Sequence, residues 1–257
     1  MLNRSDVTYI YDGTFNGLLT CIFESFEKHE TPFNIAPADS PVGFLISPKE
    51  IKTDEIKAQR VVKGIISHMG GRGMEMVEDG YYTCLPDKEL VILDFVKMGM
   101  RLGECVCDML AVPIVSTLQK AITHFHREKH LLTGFIRFSE HNGVLVSKID
   151  PKNRVLPKMA QHFCDRYRNE TFFIYDATHK EGLLYNNSKA YIIPIDDYIQ
   201  PDADESELQA RDLWKLFYDT IAIKERYNPV CRMSHLPMRY RHNMTEFTHI
   251  QENKMLS

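Results

Sequence analysis

The chain has 257 residues, of which 44% are hydrophobic and 26% are charged, with a net charge of −4. This composition is typical of a globular protein and excludes a disordered, collagenous or coiled-coil chain. The length suits one large domain or two small ones. Six cysteines in so long a chain, with no apolar leader after Met1, predict a reducing cytoplasm. The apolar runs are too short to span a membrane, so no membrane partner is expected.

The charge is distributed unevenly along the chain. Residues 1–119 carry 11 Lys and Arg against 17 Asp and Glu, whereas residues 120–180 carry 11 against 6. Residues 181–210 carry 1 against 7, and residues 211–257 carry 8 against 5. A small net charge therefore does not exclude a polyanionic partner, because one face can be basic. Chance fluctuation over windows of this length is the alternative explanation.

The chain is predicted to open with a strand and a helix. Val7–Tyr11 has the pattern of a short strand, and apolar residues then recur at helical spacing from Phe15 to Phe26. Four prolines follow within residues 31–48, and this density of proline predicts a loop.

The rest of the first half is predicted to be mainly helical. Thr53 is expected to cap a second helix, which ends before Gly70. Two or three further helices are expected between Met74 and His130. The expected breaks between them lie near Pro86, Gly103 and Pro113.

The pattern changes near Thr133 from helix to strand. Asn142-Gly143 is a two-residue hairpin signal, and Pro157 suits the first turn of a helix. The final helix is expected to bury a stripe of Leu213, Leu216, Phe217, Thr220 and Ile221. In chain order the predicted elements are strands Gly134–Ser139 and Val144–Ile149, the Pro157 helix, strands Thr171–Tyr175, Gly182–Tyr185 and Ala190–Ile195, and a helix from about Ser206 to Tyr227.

The predicted fold class is therefore α+β, with a mainly helical N-terminal half. A sheet half follows with the order β-β-α-β-β-β and a long C-terminal helix. We expect residues 1–257 to form one compact unit. Its helical half is residues 1–130, and its sheet half, with the C-terminal helix and a basic tail, is residues 131–257.

The familiar cofactor and metal motifs are absent from the sequence. No Gly-x-x-x-x-Gly-Lys-Ser/Thr loop occurs, and the glycines at 70, 71 and 73 follow a predicted helix instead of a strand. Cys105 and Cys107 form a C-x-C pair without a second pair at zinc-site spacing. We therefore expect neither a bound cofactor nor a metal ion.

The first basic stretch belongs to the predicted helix at Pro157. Lys158, His162 and Arg166 follow one another at i, i+4 spacing and so share one helix face, and Lys152 and Arg154 precede them. Lysine and arginine displace counterions from a phosphodiester backbone, so this row predicts nucleic-acid binding. The alternative is an exposed helix face that nearby carboxylates balance.

The second basic stretch is the tail, where arginines alternate with tyrosines and prolines. Arginine clamps phosphates bidentately, and tyrosine rings stack on exposed bases. Pairing of these arginines with carboxylates of the core is the alternative. The candidate nucleic-acid contacts here are Arg226, Asn228, Arg232, Arg239, Tyr240 and Arg241.

Three segments resemble a family of bacterial proteins described as probable DNA metabolism proteins. They are Tyr9-Ile10-Tyr11-Asp12-Gly13-Thr14-Phe15, Lys148-Ile149-Asp150-Pro151 and His235-Leu236-Pro237. These proteins contain domain-of-unknown-function family 4130. The resemblance implies a gene beside a radical-SAM protein of DNA modification or repair, and related domains occur fused to a uracil-DNA-glycosylase-like domain. The Gln-Asp-Pro-Tyr type motif of many such glycosylases is absent, so glycosylase activity is not expected.

Three functions are compatible with these observations. The leading hypothesis is an accessory nucleic-acid-binding protein in DNA repair or modification, with DNA and a radical-SAM protein as partners. The second is a nucleic-acid-processing enzyme in which His162 is the general acid or base and Asp176 its carboxylate partner. The third is a protein-interaction scaffold that binds the radical-SAM partner through the acidic first half and does not contact DNA.

Overall fold

The computed structural model of the chain describes residues 4–40, 48–199, 205–221, 228, 230, 233 and 235–244. The chain divides into two compact units, Met1–Phe125 and His126–Ser257. Both units contain a β-sheet and helices, so the fold mixes α and β structure as the sequence predicts. No single helix in the described part of the chain is both long and apolar enough to cross a membrane.

The first unit is built on a small parallel sheet with the strand order β2-β1-β3. Its strand from Ser5 and its helix from Phe15 confirm the predictions for these segments. The elements are β1 (Ser5–Tyr11), α1 (Phe15–Glu27), β2 (Pro32–Pro37), β3 (Pro48–Glu50), α2 (Glu55–Tyr82), α3 (Lys88–Leu102), a 3-10 helix (Gly103–Asp108) and α4 (Pro113–Phe135), which continues into the second unit.

Part of the segment 31–48 is strand, so the prediction of a loop is wrong for β2 and for Pro48, while residues 41–47 lie outside the described residues. β2 pairs in parallel with β1 from Pro32 to Pro37, and β3 begins at Pro48. Prolines are tolerated here because they stand at strand ends, and both β2 and β3 are edge strands of this sheet. Pairing with β1, which is distant in sequence, overrides the local signal for a loop.

The second helix differs from its prediction at its N-terminus. Its N-cap is Asp54, whose side chain accepts hydrogen bonds from the backbone N–H groups of Ile56 and Lys57. Thr53, the predicted cap, instead donates a hydrogen bond from its hydroxyl to Asp12. Gly70, with φ 70° and ψ 179°, is non-helical, so α2 consists of two helical segments that meet at a kink there, and the first segment ends before Gly70 as predicted. A positive φ is accessible to glycine at little cost, so Gly70 interrupts the helix and lets the second segment leave in a new direction.

The second unit contains a five-stranded sheet with the order β4-β5-β6-β7-β8. β5 and β6 are parallel, and the other neighbouring pairs are antiparallel. The order β-β-α-β-β-β is confirmed. The elements are β4 (Ser139–His141), β5 (Val144–Ile149), α5 (Leu156–Arg166), β6 (Thr171–Asp176), β7 (Glu181–Asn186), β8 (Lys189–Pro194), α6 (Glu205–Ile221) and a 3-10 helix (Met238–Asn243).

The start of the first strand in this unit departs from the prediction, whereas the turn after it agrees. The predicted strand Gly134–Ser139 begins only at Ser139, because α4 continues to Phe135. The hairpin signal is confirmed, since Asn142 and Gly143 both have positive φ and join β4 to β5. Such a pair of left-handed residues matches the twist of the two strands.

The last helix is described from Glu205 to Ile221, and the predicted continuation to Tyr227 lies outside the described residues. Its expected buried stripe is wrong where the side chains are described. Leu213 is 67% exposed, Leu216 64% and Phe217 53%. The helix has the apolar pattern of a packed element, but the residues described around it do not cover that face.

Candidate functional site

The first basic stretch lies on the outward face of α5. His162 and Arg166 are exposed, Lys158 is half-buried, and Lys152 is exposed in the loop before the helix. The opposite face packs in the core through Leu156, Met159 and Phe163. Because the apolar residues decide which face is buried, the basic residues share the other one, as their spacing predicts.

Arg154, unlike the exposed residues of this row, is paired with a buried carboxylate. Its Nε and Nη2 atoms lie 2.9 and 2.7 Å from Oε2 of Glu181, a carboxylate that is only 6% exposed. A buried carboxylate needs a cationic partner, so Arg154 stabilises the start of β7. Its charge is balanced inside the second unit.

The tail residues Arg239 and Tyr240 are bound to another buried carboxylate, Glu128. Oε1 of Glu128 accepts a 2.6 Å hydrogen bond from Arg239 and a 3.2 Å bond from the hydroxyl of Tyr240. Its Oε2 accepts the backbone and side-chain N–H groups of Asn153 at 2.8 and 2.6 Å. Burial alone would raise the pKa of Glu128, but these hydrogen bonds and the guanidinium of Arg239 lower it. The tyrosine ring is 5% exposed, too little to stack on a base.

Of the other four tail candidates, the structure describes two. Arg241 donates a 3.0 Å hydrogen bond to the carbonyl oxygen of Leu236, and Asn228 is exposed. Arg226 and Arg232 lie outside the described residues. The tail candidates described here thus offer no row of phosphate contacts comparable with that of α5.

The structure does not bring His162 and Asp176 together. His162 is exposed and packs edge-on against Phe163. Asp176 is fully buried at the end of β6, and its Oδ2 lies 2.7 Å from Nδ1 of His179. The sequence reasoning missed this second histidine, although its position three residues after Asp176 was a usable local signal. A similar pair joins His242 to Asp150 at 2.7 Å.

The second unit also contains an open groove, and this groove is the candidate site. It has a volume of about 540 Å³, within the range of pockets that hold small organic groups. The residues that line it come from the end of α4, the β4–β5 hairpin region, the end of α5 and the first half of α6. They are Gly134, Ile136, Arg137, Phe138, Leu145, Arg166, Tyr167, Glu207, Ala210, Arg211 and Trp214.

Three arginines from three parts of the chain converge on this groove. The guanidinium of Arg137 lies 5.9 Å from the ring centroid of Trp214, and that of Arg166 lies 5.7 Å from the ring of Tyr167. These distances are those of cation–π pairs, which orient a guanidinium against an aromatic ring. Arg166, the last residue of the α5 row, therefore joins that row to the groove.

The third arginine is held by a carboxylate. Nε of Arg211 lies 2.7 Å from Oε1 of Glu207, and its Nη2 donates a 2.7 Å hydrogen bond to the hydroxyl of Ser139. Burial would raise the pKa of Glu207, but Arg211 and the N–H of Glu140 lower it. Glu207 is the single carboxylate among the groove residues, so the described groove keeps a positive excess.

Arg137, Arg211 and Trp214 were not identified from the sequence. They are separated by about 75 residues of intervening chain and form no local motif. The available signals were that Trp214 is the only tryptophan of the chain and that Glu207 and Arg211 stand at i, i+4 spacing. Among the described residues, no group of three histidine, cysteine or acidic side chains has the geometry to hold a metal ion.

Comparison with curated proteins finds no match to this chain. A family model described as DUF4130, a domain of unknown function, matches residues 86–246. This range is more than half of the chain and contains α3 to α6, all five strands of the second unit and every residue of the groove. The chain therefore belongs to the DUF4130 family.

Proposed function

We propose that this protein binds nucleic acid as an accessory factor in DNA repair or modification. The observation that carries the proposal is the groove, whose described lining contains Arg137, Arg166 and Arg211, the carboxylate of Glu207 and an exposed indole. Positive charge attracts the phosphodiester backbone, and aromatic rings beside it give a surface for bases. DNA is the expected partner.

The row on α5 extends this surface beyond the groove. Lys158, His162 and Arg166 span about 12 Å along the helix axis, since each residue of a helix adds about 1.5 Å. A strand of nucleic acid that contacts this row also reaches the groove, because Arg166 belongs to both. Arg154 and Arg239 contribute little to the surface, because each is already paired with a buried carboxylate.

The role in DNA repair or modification and the radical-SAM partner rest on the family resemblance of the three sequence segments. Binding of the phosphate backbone carries no chemistry by itself, which fits a protein that serves a partner enzyme. Catalysis by His162 and Asp176 is not part of the proposed function, because Asp176 is bound to His179. Turnover of DNA by the isolated protein would contradict this assignment.

The test is a titration of labelled DNA with the full chain at several salt concentrations. Neutralising about five phosphates gives a log–log slope of about −4.5 on duplex DNA. Arg166→Gln removes one contact and makes the slope less negative by about 0.9. The matched control is Lys189→Gln, since Lys189 is exposed on β8, at the edge of the sheet opposite β4. Absent or salt-insensitive binding, or equal effects of both substitutions, would refute the proposal.

A protein-interaction scaffold is the second candidate, and one observation favours it. The exposed apolar side chains of α6, with Leu213 67% and Leu216 64% exposed, form the kind of face that packs on another protein. Residues 1–119 add the acidic excess that suits a basic partner. Co-purification with the radical-SAM protein together with no binding of DNA at low salt would select this function.

A further inference from the structure

We infer that the groove of the second unit recognises single-stranded DNA by taking one unstacked base against the indole of Trp214. The inference rests on the proposed function and adds to it the form of nucleic acid that binds and the ring that reads it. The site is an open groove of about 540 Å³, and the indole of Trp214 is part of its lining.

Trp214 is placed to stack on a base. It lies on α6 and is 41% exposed, although it lines the groove. The ring of Phe217 lies 5.8 Å away at an interplanar angle of 30°, and Arg137 approaches the indole at 5.9 Å. These neighbours fix the orientation of the ring, so little rotamer entropy is lost when a base stacks on the exposed part.

The groove also contains the groups that a flanking phosphate requires. Arg166 and Arg211 line the same groove as the indole, and the hydrogen bonds of Arg211 to Glu207 and Ser139 hold its guanidinium in place. Base stacking combined with backbone contacts is the usual mode of single-strand binding, because every base has a π-face. Sequence preference is therefore expected to be weak.

Duplex DNA does not present what this groove accepts. In a duplex the faces of the bases are covered by their neighbours, and only the base edges and the backbone are accessible. An indole inside a groove reaches a base face only when the base leaves the stack. Duplex DNA therefore binds through its phosphates alone, along the α5 row, and more weakly than the single strand.

Tryptophan fluorescence of the full chain gives a direct test, since Trp214 is the only tryptophan. The probes are a thymidine oligonucleotide of roughly 12 nucleotides and a duplex of equal length at low salt. We expect the single strand to quench the fluorescence and the duplex to leave it unchanged. A duplex that carries one unpaired, bulged nucleotide should restore the quenching.

Substitutions separate stacking from charge in a labelled-DNA titration. Trp214→Ala should weaken single-strand binding roughly 5- to 150-fold and leave duplex binding unchanged, while Trp214→Phe should retain part of the affinity. Tyr191→Ala is the matched control, because Tyr191 is an exposed aromatic residue on β8 and does not line the groove. An unchanged circular dichroism spectrum shows that each variant is folded.

The outcomes distinguish the inference from the proposed function. Salt-dependent binding of single strand and duplex without selective quenching would overturn the inference and leave the proposed function standing. An equal loss of single-strand and duplex affinity in Trp214→Ala would also overturn it. Failure of both forms of DNA to bind at low salt would overturn both.

Discussion

The guanidinium of Arg239 donates a 2.6 Å hydrogen bond to Oε1 of Glu128, which lies 111 residues earlier in the chain. Glu128 is 1% exposed and Arg239 is 35% exposed, so the pair connects the tail to the interior of the second unit. An arginine that the sequence presents as a phosphate contact is used here to balance a buried charge. This relationship leads to the first two predictions.

Glu128→Gln should destabilise the second unit. The substitution removes the charge that Arg239 balances, and in either orientation it places an amide N–H₂ group against N–H donors, those of Asn153 or those of Lys152 and Arg239. Because the remaining cation, Arg239, is partly exposed, the cost is that of leaving buried N–H donors unsatisfied, about 1–3 kcal/mol. Urea denaturation should show this as a lower midpoint. Asp165→Asn is the control, because Asp165 is 57% exposed and its change should cost less than about 0.5 kcal/mol. Equal midpoints for the two variants would contradict the prediction.

The same carboxylate should make stability depend on pH in the acid range. The pKa of Glu128 is lower in the folded chain than its ordinary value, so its contribution is complete above about pH 4.3 and is lost as the pH falls through the folded pKa. The free energy of unfolding of the wild-type chain should therefore fall more steeply below pH 4.3 than that of Glu128→Gln. Parallel pH profiles would show that Glu128 is not the titrating group.

Asp94 should show the opposite pH dependence in the first unit. Burial raises its pKa in spite of the 2.7 Å ion pair with Arg4, and its Oδ1 is buried without a hydrogen-bond partner. A carboxyl group with a raised folded pKa stabilises the fold at low pH and loses that contribution as the pH rises. The stability of the wild-type chain relative to Asp94→Asn should fall between about pH 4 and neutrality. An increase over this interval would contradict the prediction.

Gly17→Ala should destabilise α1 although alanine is the better helix former. A Cβ at Gly17 would lie 2.3 Å from Oδ1 of Asp12 and 2.9 Å from the hydroxyl of Thr53, two side chains that are hydrogen-bonded to each other. Such overpacking costs about 1–3 kcal/mol. Gly134→Ala, at an exposed helical position with no atom within 4 Å of the new Cβ, should be neutral or stabilising. Thermal unfolding of both variants checks the contrast.

Two arginines of the first basic stretch should separate stability from binding. Arg154→Gln leaves Glu181 buried without its cation, so we expect a lower unfolding midpoint and an unchanged salt slope for DNA binding. Arg166→Gln should leave the unfolding midpoint unchanged and make the salt slope less negative. Arg166 is exposed, and the described contact of its guanidinium is with the ring of Tyr167. Measuring the urea midpoint and the salt slope for each variant tests the assignment. A loss of slope in Arg154→Gln would refute it.

Much of the local structure follows from the sequence, because it depends on neighbours that are close along the chain. The apolar spacing after Phe15, the Asn142-Gly143 turn and the proline at the start of α5 each encode an element within a few residues. The shared face of Lys158, His162 and Arg166 is likewise a consequence of helical geometry alone.

Contacts between segments that are distant in sequence determine the structural features that local patterns do not predict. The proline-rich segment forms β2 because its backbone pairs with β1. No pattern within the segment itself indicates these hydrogen bonds. Arg239 and Arg166 are alike in the sequence, yet one is bound to a buried carboxylate and the other faces solvent. Ion pairing and burial depend on which groups the fold brings within a few ångströms. For that reason the groove of Arg137, Arg166, Arg211 and Trp214 is visible only in three dimensions.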